Sequence, residues 1–246
     1  MELLNLSIIL IAGLVGGAYG TLVGAGNILS IPLMIFMGYP AHQVIAANRV
    51  ATVGLASAGY YKFEKKGLID HKIGFFIAIF ATIGSYFGAR IVVYTDTEIL
   101  ERLIAVVIIV LLILTLLKKD IGLKPKKLSK RHYIIGGIAS FFLGIYLGFI
   151  GLAGGTFLVY LGVLGFGLTF LKSSGTIKIA GGIASLIASI VFFFNGLIVW
   201  DITIALTLGF TIGSYIGAHY SDKIGDIWIR RLFMGICAVM ALTLLF

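Results

Sequence analysis

Two basic residues lie in the middle of otherwise apolar stretches of the sequence. Arg49 falls within residues 41–61 and Lys178 within residues 170–194. A cation inside hydrocarbon costs at least about 2.5–3.5 kcal/mol on insertion scales, which makes such a residue a functional candidate by default. All ten acidic residues fall in loops or at the edges of apolar stretches, so no built-in carboxylate is expected beside either cation. A bound anion is the simplest partner, and a structural cluster of carbonyl groups is the alternative.

A glycine-rich break and a short apolar run precede each cation. The first break reads Gly24-Ala25-Gly26-Asn27, and the second reads Gly151-Leu152-Ala153-Gly154-Gly155 and leads to Thr156. Glycine permits unusual backbone conformations, and irregular backbone at membrane depth is tolerated where it lines a cavity. The unpaired N–H groups at a helix start attract anions. We therefore predict that these breaks line an anion cavity, although helix packing through small residues is the alternative. The candidate binding residues are Gly24, Ala25, Gly26, Asn27, Ala153, Gly154, Gly155 and Thr156.

Hydroxyl and amide side chains flank the two cations. Among them, Asn48 directly precedes Arg49, and Ser174 lies one helical turn before Lys178; the others are Thr52, Ser173 and Thr176. Such groups can donate hydrogen bonds to an oxyanion or join one helix to another. The sequence contains no HExxH, GxSxG, P-loop or CxxC arrangement. We therefore predict neither an enzyme nor a bound cofactor or metal.

The composition places these residues in a membrane protein. Of the 246 residues, 60% are hydrophobic and 12% are charged, with a mean hydropathy of +1.11. Soluble domains carry roughly 25% charged residues. Apolar runs such as 202–218 are long and do not alternate as the strands of a barrel do. An all-α polytopic protein of the cell membrane is predicted, and the net charge of +9 is attributed to loop charges that set topology, not to nucleic-acid binding.

The chain contains an internal duplication at an offset of 129 residues. Residues 82–90 (TIGSYFGAR) match residues 211–219 (TIGSYIGAH), and the same offset pairs Arg49 with Lys178. We predict a first transmembrane repeat at 1–117, a basic linker at 118–132 and a second repeat at 133–246. Each repeat has five apolar segments, in the first half at about 5–23, 28–38, 41–61, 73–94 and 99–117. The paired glycines of GSYFG and GSYIG favour helix packing.

The loop charges predict opposite orientations for the two repeats. Residues 62–72 and 118–132 are rich in basic residues and are expected on the cytoplasmic side, whereas residues 191–201, the counterpart of the first loop, contain no Lys or Arg. The repeats are therefore expected to be inverted, as in many secondary transporters. Both termini then lie outside. The segment 28–38 is too short to cross unaided, which predicts short or broken helices near the midplane.

Taken together, these motifs resemble the sulfite exporter TauE/SafE family, also called the TSUP family of anion transporters. The matching pieces are GAGNILSIP at 24–32, AANR at 46–49, GLAGGTF at 151–157 and KSSGTIK at 172–178. The first motif carries Asn27 where a glycine is usual in the family. The resemblance implies transport of sulfite, thiosulfate, an organosulfonate or a similar small anion across the cytoplasmic membrane.

The resulting hypothesis is a transporter of a small, sulfur-containing oxyanion that works as an exporter by alternating access. Arg49 and Lys178 supply the charge, and the substrate lies between the two repeats. A passive anion channel and an intramembrane enzyme or assembly factor are the alternatives. The expected partners are a small inorganic or organosulfur anion and the lipid bilayer, with a second copy of the chain in a homodimer as a further prediction.

Overall fold

The computed structural model describes residues 2–117 and 129–221, with side chains for residues 3–107 and 129–221. Within these ranges the chain is helical and contains no strand. Most of the predicted basic linker and the end of the second repeat, including the C-terminus, lie outside the described residues. Helix α6 already begins at Lys130, after Ser129 as its capping residue, so the last residues of the segment 118–132 form its first turn.

The helices follow the predicted apolar segments closely. In chain order they are α1 (Glu2–Val23), α2 (Asn27–Phe36), α3 (Ala41–Lys65), α4 (His71–Tyr94), α5 (Thr97–Leu117), α6 (Lys130–Phe149), α7 (Gly154–Tyr160, continued by a π-helical turn at Leu161–Gly165), α8 (Phe170–Phe194) and α9 (Trp200–Ser221). Within the described ranges, five of them are long and apolar enough to cross a membrane: α1, α4, α6, α8 and α9. The protein is therefore a multi-pass membrane protein.

Helix α3 is long but is not among those five spans. It carries polar residues along its first half, including His42, Asn48 and Arg49, which lower its hydropathy. It packs closely against α8, and most residues of its first three turns are buried. A helix that is enclosed by other helices can carry polar groups, because they face protein or a cavity instead of lipid.

Two pairs of helices in the two halves begin at equivalent positions, and one of these pairs also ends at equivalent positions. Helices α3 and α8 start and end at positions that differ by the repeat offset, and α4 and α9 start at equivalent positions. The turns match as well, since Gly38 and Gly167 are equivalent and both have a positive φ (89° and 66°). The duplicated sequence thus corresponds to duplicated bounds at these helices.

The glycines of the GSYFG and GSYIG motifs pack helices of one half against helices of the other. A Cβ on Gly84 or Gly88 of α4 would collide with the backbone of α6, and a Cβ on Gly213 or Gly217 of α9 would collide with the backbone of α1. The serine inside each motif adds a hydrogen bond across the halves: Ser85 donates to Ala184 O at 2.8 Å and Ser214 to Leu55 O at 2.7 Å. Helix α4 of the first half therefore packs against the second half, and α9 of the second half packs against the first.

Candidate functional site

Both glycine breaks are interruptions between helices. In the first, α1 ends at Val23, Gly24 has φ 83°, and α2 begins at Asn27. In the second, Gly151 has φ 61° and Ala153 has φ 53°, and α7 begins at Gly154. A positive φ is unfavourable for residues with a Cβ, which explains the glycines at Gly24 and Gly151.

The two glycine breaks contact each other and form a pair, the crossed breaks. A Cβ on Gly24 would collide with the backbone of Gly155 and Thr156, and a Cβ on Gly155 would collide with the backbone of Gly24. Side chains of the second half also hydrogen-bond the end of α1. The Thr156 hydroxyl donates to Val23 O at 2.8 Å, and the Ser174 hydroxyl donates to Leu22 O at 2.6 Å.

Asn27 makes the reciprocal connection from the first half to the second. Its Nδ2 donates to Gly151 O at 2.7 Å, and its Oδ1 accepts from the backbone N–H of Ala153 at 3.0 Å. The side chain is 6% exposed. Asn27 thus binds the second break as a backbone segment would, because an amide supplies one donor and one acceptor together.

A cavity of about 50 Å³ lies beside the crossed breaks. Residues of both halves line it: Gly20, Gly24, Gly26, Asn27, Arg49, Thr52, Leu55, Ala56, Leu147, Gly151, Gly155, Leu158, Ile177, Lys178, Gly181, Ser185 and Phe210. Several lining residues are equivalent under the repeat offset, among them Arg49 with Lys178 and Gly26 with Gly155. The cavity is therefore shared by equivalent positions of the two halves.

Arg49 reaches the cavity from α3 and is 2% exposed. Its guanidinium lies against Gly151, where a Cβ would come within 2.7 Å of both terminal nitrogens. Its Nε is buried and has no hydrogen-bond partner within the described part of the chain. The second break thus leaves room for the guanidinium through a residue that has no side chain.

Lys178 reaches the same cavity from α8 and is 5% exposed. Its Cε lies beside Gly59, and a Cβ on Gly59 would also meet the hydroxyls of Thr21 and Ser214. Of the carboxylates whose side chains fall within residues 3–107 and 129–221, none is buried, and the ion pairs found there involve His71, Arg102 and Lys172. Neither cavity cation has a carboxylate partner within those ranges.

The structure brings together half of the predicted site residues. Gly24, Gly26, Asn27, Arg49, Gly155 and Lys178 line the cavity, whereas Ala25, Asn48, Ala153, Gly154, Thr156 and Ser174 do not. The hydroxyls of Thr156 and Ser174 bind the end of α1, as described above. Asn48 is held by its own surroundings, since its Oδ1 accepts from Ser30 at 2.5 Å and its Nδ2 donates to Val44 O at 2.9 Å.

One polar lining residue was missed by the sequence analysis. Ser185 lies on α8 two turns after Lys178, is 2% exposed and lines the cavity. The structure records no hydrogen bond from its hydroxyl to any residue in the described ranges. The available signal was the spacing of seven residues, which places both side chains on one face of the helix.

Comparison with known proteins identifies the family. A model of the sulfite exporter TauE/SafE family matches residues 9–244. The chain belongs to the sulfite exporter TauE/SafE family. This match agrees with the resemblance carried by the two glycine-rich motifs and the two cations that follow them.

Relatives of this TauE/SafE protein carry transporter names. A probable membrane transporter protein of Haemophilus influenzae is 23% identical over 92% of this chain and 89% of its own length. The probable membrane transporter protein YfcA of Escherichia coli K12 is 25% identical over 99% of this chain and 90% of its own. The probable membrane transporter protein YdhB of Bacillus subtilis is 23% identical over 99% of this chain and 100% of its own. No solved structure matches the chain. The TauE/SafE protein is a membrane transporter of an anion and not an enzyme.

Proposed function

We propose that this transporter exports a small, sulfur-containing oxyanion such as sulfite, thiosulfate or an organosulfonate, and that the cavity at the crossed breaks is its substrate site. The observation that carries the proposal is the pair of buried cations, Arg49 and Lys178, that line one cavity with no carboxylate partner in the described ranges. Buried charges require a partner of opposite sign. A substrate anion supplies that partner.

Within this proposal the two halves form an inverted repeat, and both termini lie outside. The equivalent bounds of α3 and α8, and the packing of α4 on α6 and of α9 on α1, support the repeat. In inverted-repeat transporters, alternating access moves one repeat against the other around a fixed central site. The membrane in question is the cell membrane, and a homodimer remains a prediction.

Arginine and lysine play different roles in this site. The guanidinium of Arg49 has a planar fork of donors that matches two oxygens of an oxyanion. The ammonium of Lys178 acts as a compact charge on a flexible stem. The apolar lining residues, such as Leu55, Leu158 and Phe210, keep water away and strengthen both interactions.

The test is anion binding by purified protein that carries Arg49→Ala or Lys178→Ala. We expect each variant to lose most of its affinity for sulfite and thiosulfate, measured by titration calorimetry in detergent. Lys172→Ala is the matched control, because Lys172 is also on α8 but is 41% exposed and lies 3.9 Å from Asp70. Unchanged binding in both cavity variants would remove the site assignment.

Reconstituted vesicles separate a transporter from a passive anion channel. Alternating access predicts counterflow, in which labelled thiosulfate enters against its gradient while unlabelled thiosulfate leaves. A channel with the same site would give downhill flux alone. Absence of counterflow under conditions that give downhill flux would contradict the alternating-access part of the proposal.

A further inference from the structure

The charge of the cavity narrows the class of substrate. We infer that the site prefers a small, doubly charged inorganic oxyanion over a singly charged organosulfonate of the same shape. This inference rests on the proposed function, since it concerns the ligand of the same cavity. Its basis is the number of uncompensated charges, the space available and the absence of an acidic group among the described lining residues.

The charge balance comes first. Arg49 and Lys178 line one cavity, and the acids of the described ranges are all partly or fully exposed. A singly charged ligand would leave one cation buried without a partner, which is the costly situation for a buried charge. A doubly charged ligand compensates both cations at once, and the low-dielectric surroundings strengthen each attraction.

The space comes second. A volume of about 50 Å³ corresponds to roughly three to five water positions, if each position takes about 10–15 Å³ on this scale. Sulfate and thiosulfate fit this estimate, because their heavy atoms are about as many as those water positions. An organosulfonate adds a carbon chain, and the walls in question are formed by bulky side chains such as Leu147, Ile177 and Phe210.

The chemistry of the lining comes third. A zwitterionic sulfonate such as taurine carries an ammonium group that needs an acceptor, in most cases a carboxylate. The polar side chains of the described lining are Asn27, Arg49, Thr52, Lys178 and Ser185. This set contains no anionic group for an ammonium. The amide oxygen of Asn27, which could accept a hydrogen bond from it, is already bound to the second break.

Three anions of nearly equal shape separate charge from size. Sulfate and thiosulfate are tetrahedral dianions, and methanesulfonate is a tetrahedral monoanion with the same number of heavy atoms. We expect sulfate and thiosulfate to bind about tenfold or more tightly than methanesulfonate in calorimetric titrations at constant ionic strength. Equal affinities would overturn the inference, because they would mean that only one of the two charges acts on the ligand.

Variants at Lys178 test the mechanism of that preference. Lys178→Met removes one charge and is expected to bring the dianion and monoanion affinities to within about threefold of each other. Lys178→Arg keeps the charge and should retain the preference, and Lys172→Met controls for the loss of a lysine elsewhere on α8. A preference for dianions that persists in Lys178→Met, in protein that still melts cooperatively, would contradict the inference.

The outcomes distinguish this inference from the proposed function. If methanesulfonate binds as tightly as sulfate and Arg49→Ala abolishes both, the cavity is the site and the charge preference is wrong. If no anion responds to Arg49→Ala or Lys178→Ala, the cavity is not the substrate site, and both proposals fall.

Discussion

The two glycine breaks share a positive φ at one pair of equivalent positions but differ in their helix ends and in their side chains. Gly24 and Ala153 are equivalent under the repeat offset, and both have a positive φ (83° and 53°). Gly24 lies directly against the backbone of Gly155, whereas Ala153 accommodates its methyl group although it is fully buried. The duplication thus preserves the positive φ at this one position, and the local contacts decide which residue is compatible with it.

The same contrast extends to the cavity walls. Three of the equivalent lining pairs hold different residues, namely Arg49 and Lys178, Thr52 and Gly181, and Ala56 and Ser185. In each pair the two halves present different chemistry from equivalent places. A symmetric frame with asymmetric donors allows a ligand to bind in one orientation, because a bidentate donor faces one side and a point charge faces the other.

The largest expected effect comes from placing a methyl group between the crossed breaks. Gly24→Ala would drive a Cβ into the backbone of the second break, which cannot move aside as a flexible side chain can. We expect loss of most folded protein, measured by size-exclusion chromatography and thermal unfolding in detergent.

Two variants make this comparison specific. Gly38 has a similar φ of 89°, but no atom lies within 4 Å of the place that a methyl group would occupy, so Gly38→Ala tests the backbone strain alone. It should cost only about 1–2 kcal/mol. Ala153→Gly should be nearly neutral. If Gly38→Ala were as damaging as Gly24→Ala, strain and not the crossing of the breaks would explain the glycine.

A smaller effect is expected from the hydrogen bonds that join the breaks. Asn27→Ala leaves the buried N–H of Ala153 without its acceptor. It also removes one of the two donors to Gly151 O, which still accepts a hydrogen bond from the backbone N–H of Gly154. Thr156→Val removes only the donor to Val23 O. Since a buried polar group without a partner costs about 1–3 kcal/mol, Asn27→Ala should lower the thermal midpoint more than Thr156→Val does.

The reverse order would show that the first break depends on the second more than the second depends on the first. Thiosulfate binding gives an independent measurement. Asn27 holds Gly151, and Gly151 lies against the Arg49 guanidinium. Asn27→Ala is therefore expected to weaken binding, whereas Thr156→Val should change it little.

The sequence predicted the helical segments, both breaks and both cavity cations, because these features depend on local properties. A long apolar run, a cluster of glycines and an isolated charge can each be interpreted without knowledge of the tertiary contacts. Arg49 and Lys178 line one cavity, in agreement with the site that the sequence analysis expected between the two repeats.

The pairing of helices could not be predicted in the same way. Small residues at a spacing of four indicate that Gly84 and Gly88 pack against a helix, but they do not indicate which one. Likewise, the sequence does not indicate which hydroxyls of α8 face the cavity. The structure separates Ser174, which binds Leu22 O, from Ser185, which faces the cavity, because this distinction depends on the rotation of α8 against its neighbours.

The smallest expected effect distinguishes the two hydroxyls of the cavity wall. An anion needs hydrogen-bond donors, and a hydroxyl has a single proton. Thr52 already donates its proton to Asn48 O at 2.7 Å, whereas Ser185 has no recorded acceptor for its proton within the described ranges. Ser185→Ala should therefore weaken sulfate binding by about tenfold, at the lower end of the contribution of a hydrogen bond to a charged group, and Thr52→Val by less than about twofold. Calorimetric titration of both variants measures the difference. Equal losses would mean that Thr52 exchanges its bond to the helix for one to the ligand, and the two walls would then contribute alike despite their different residues.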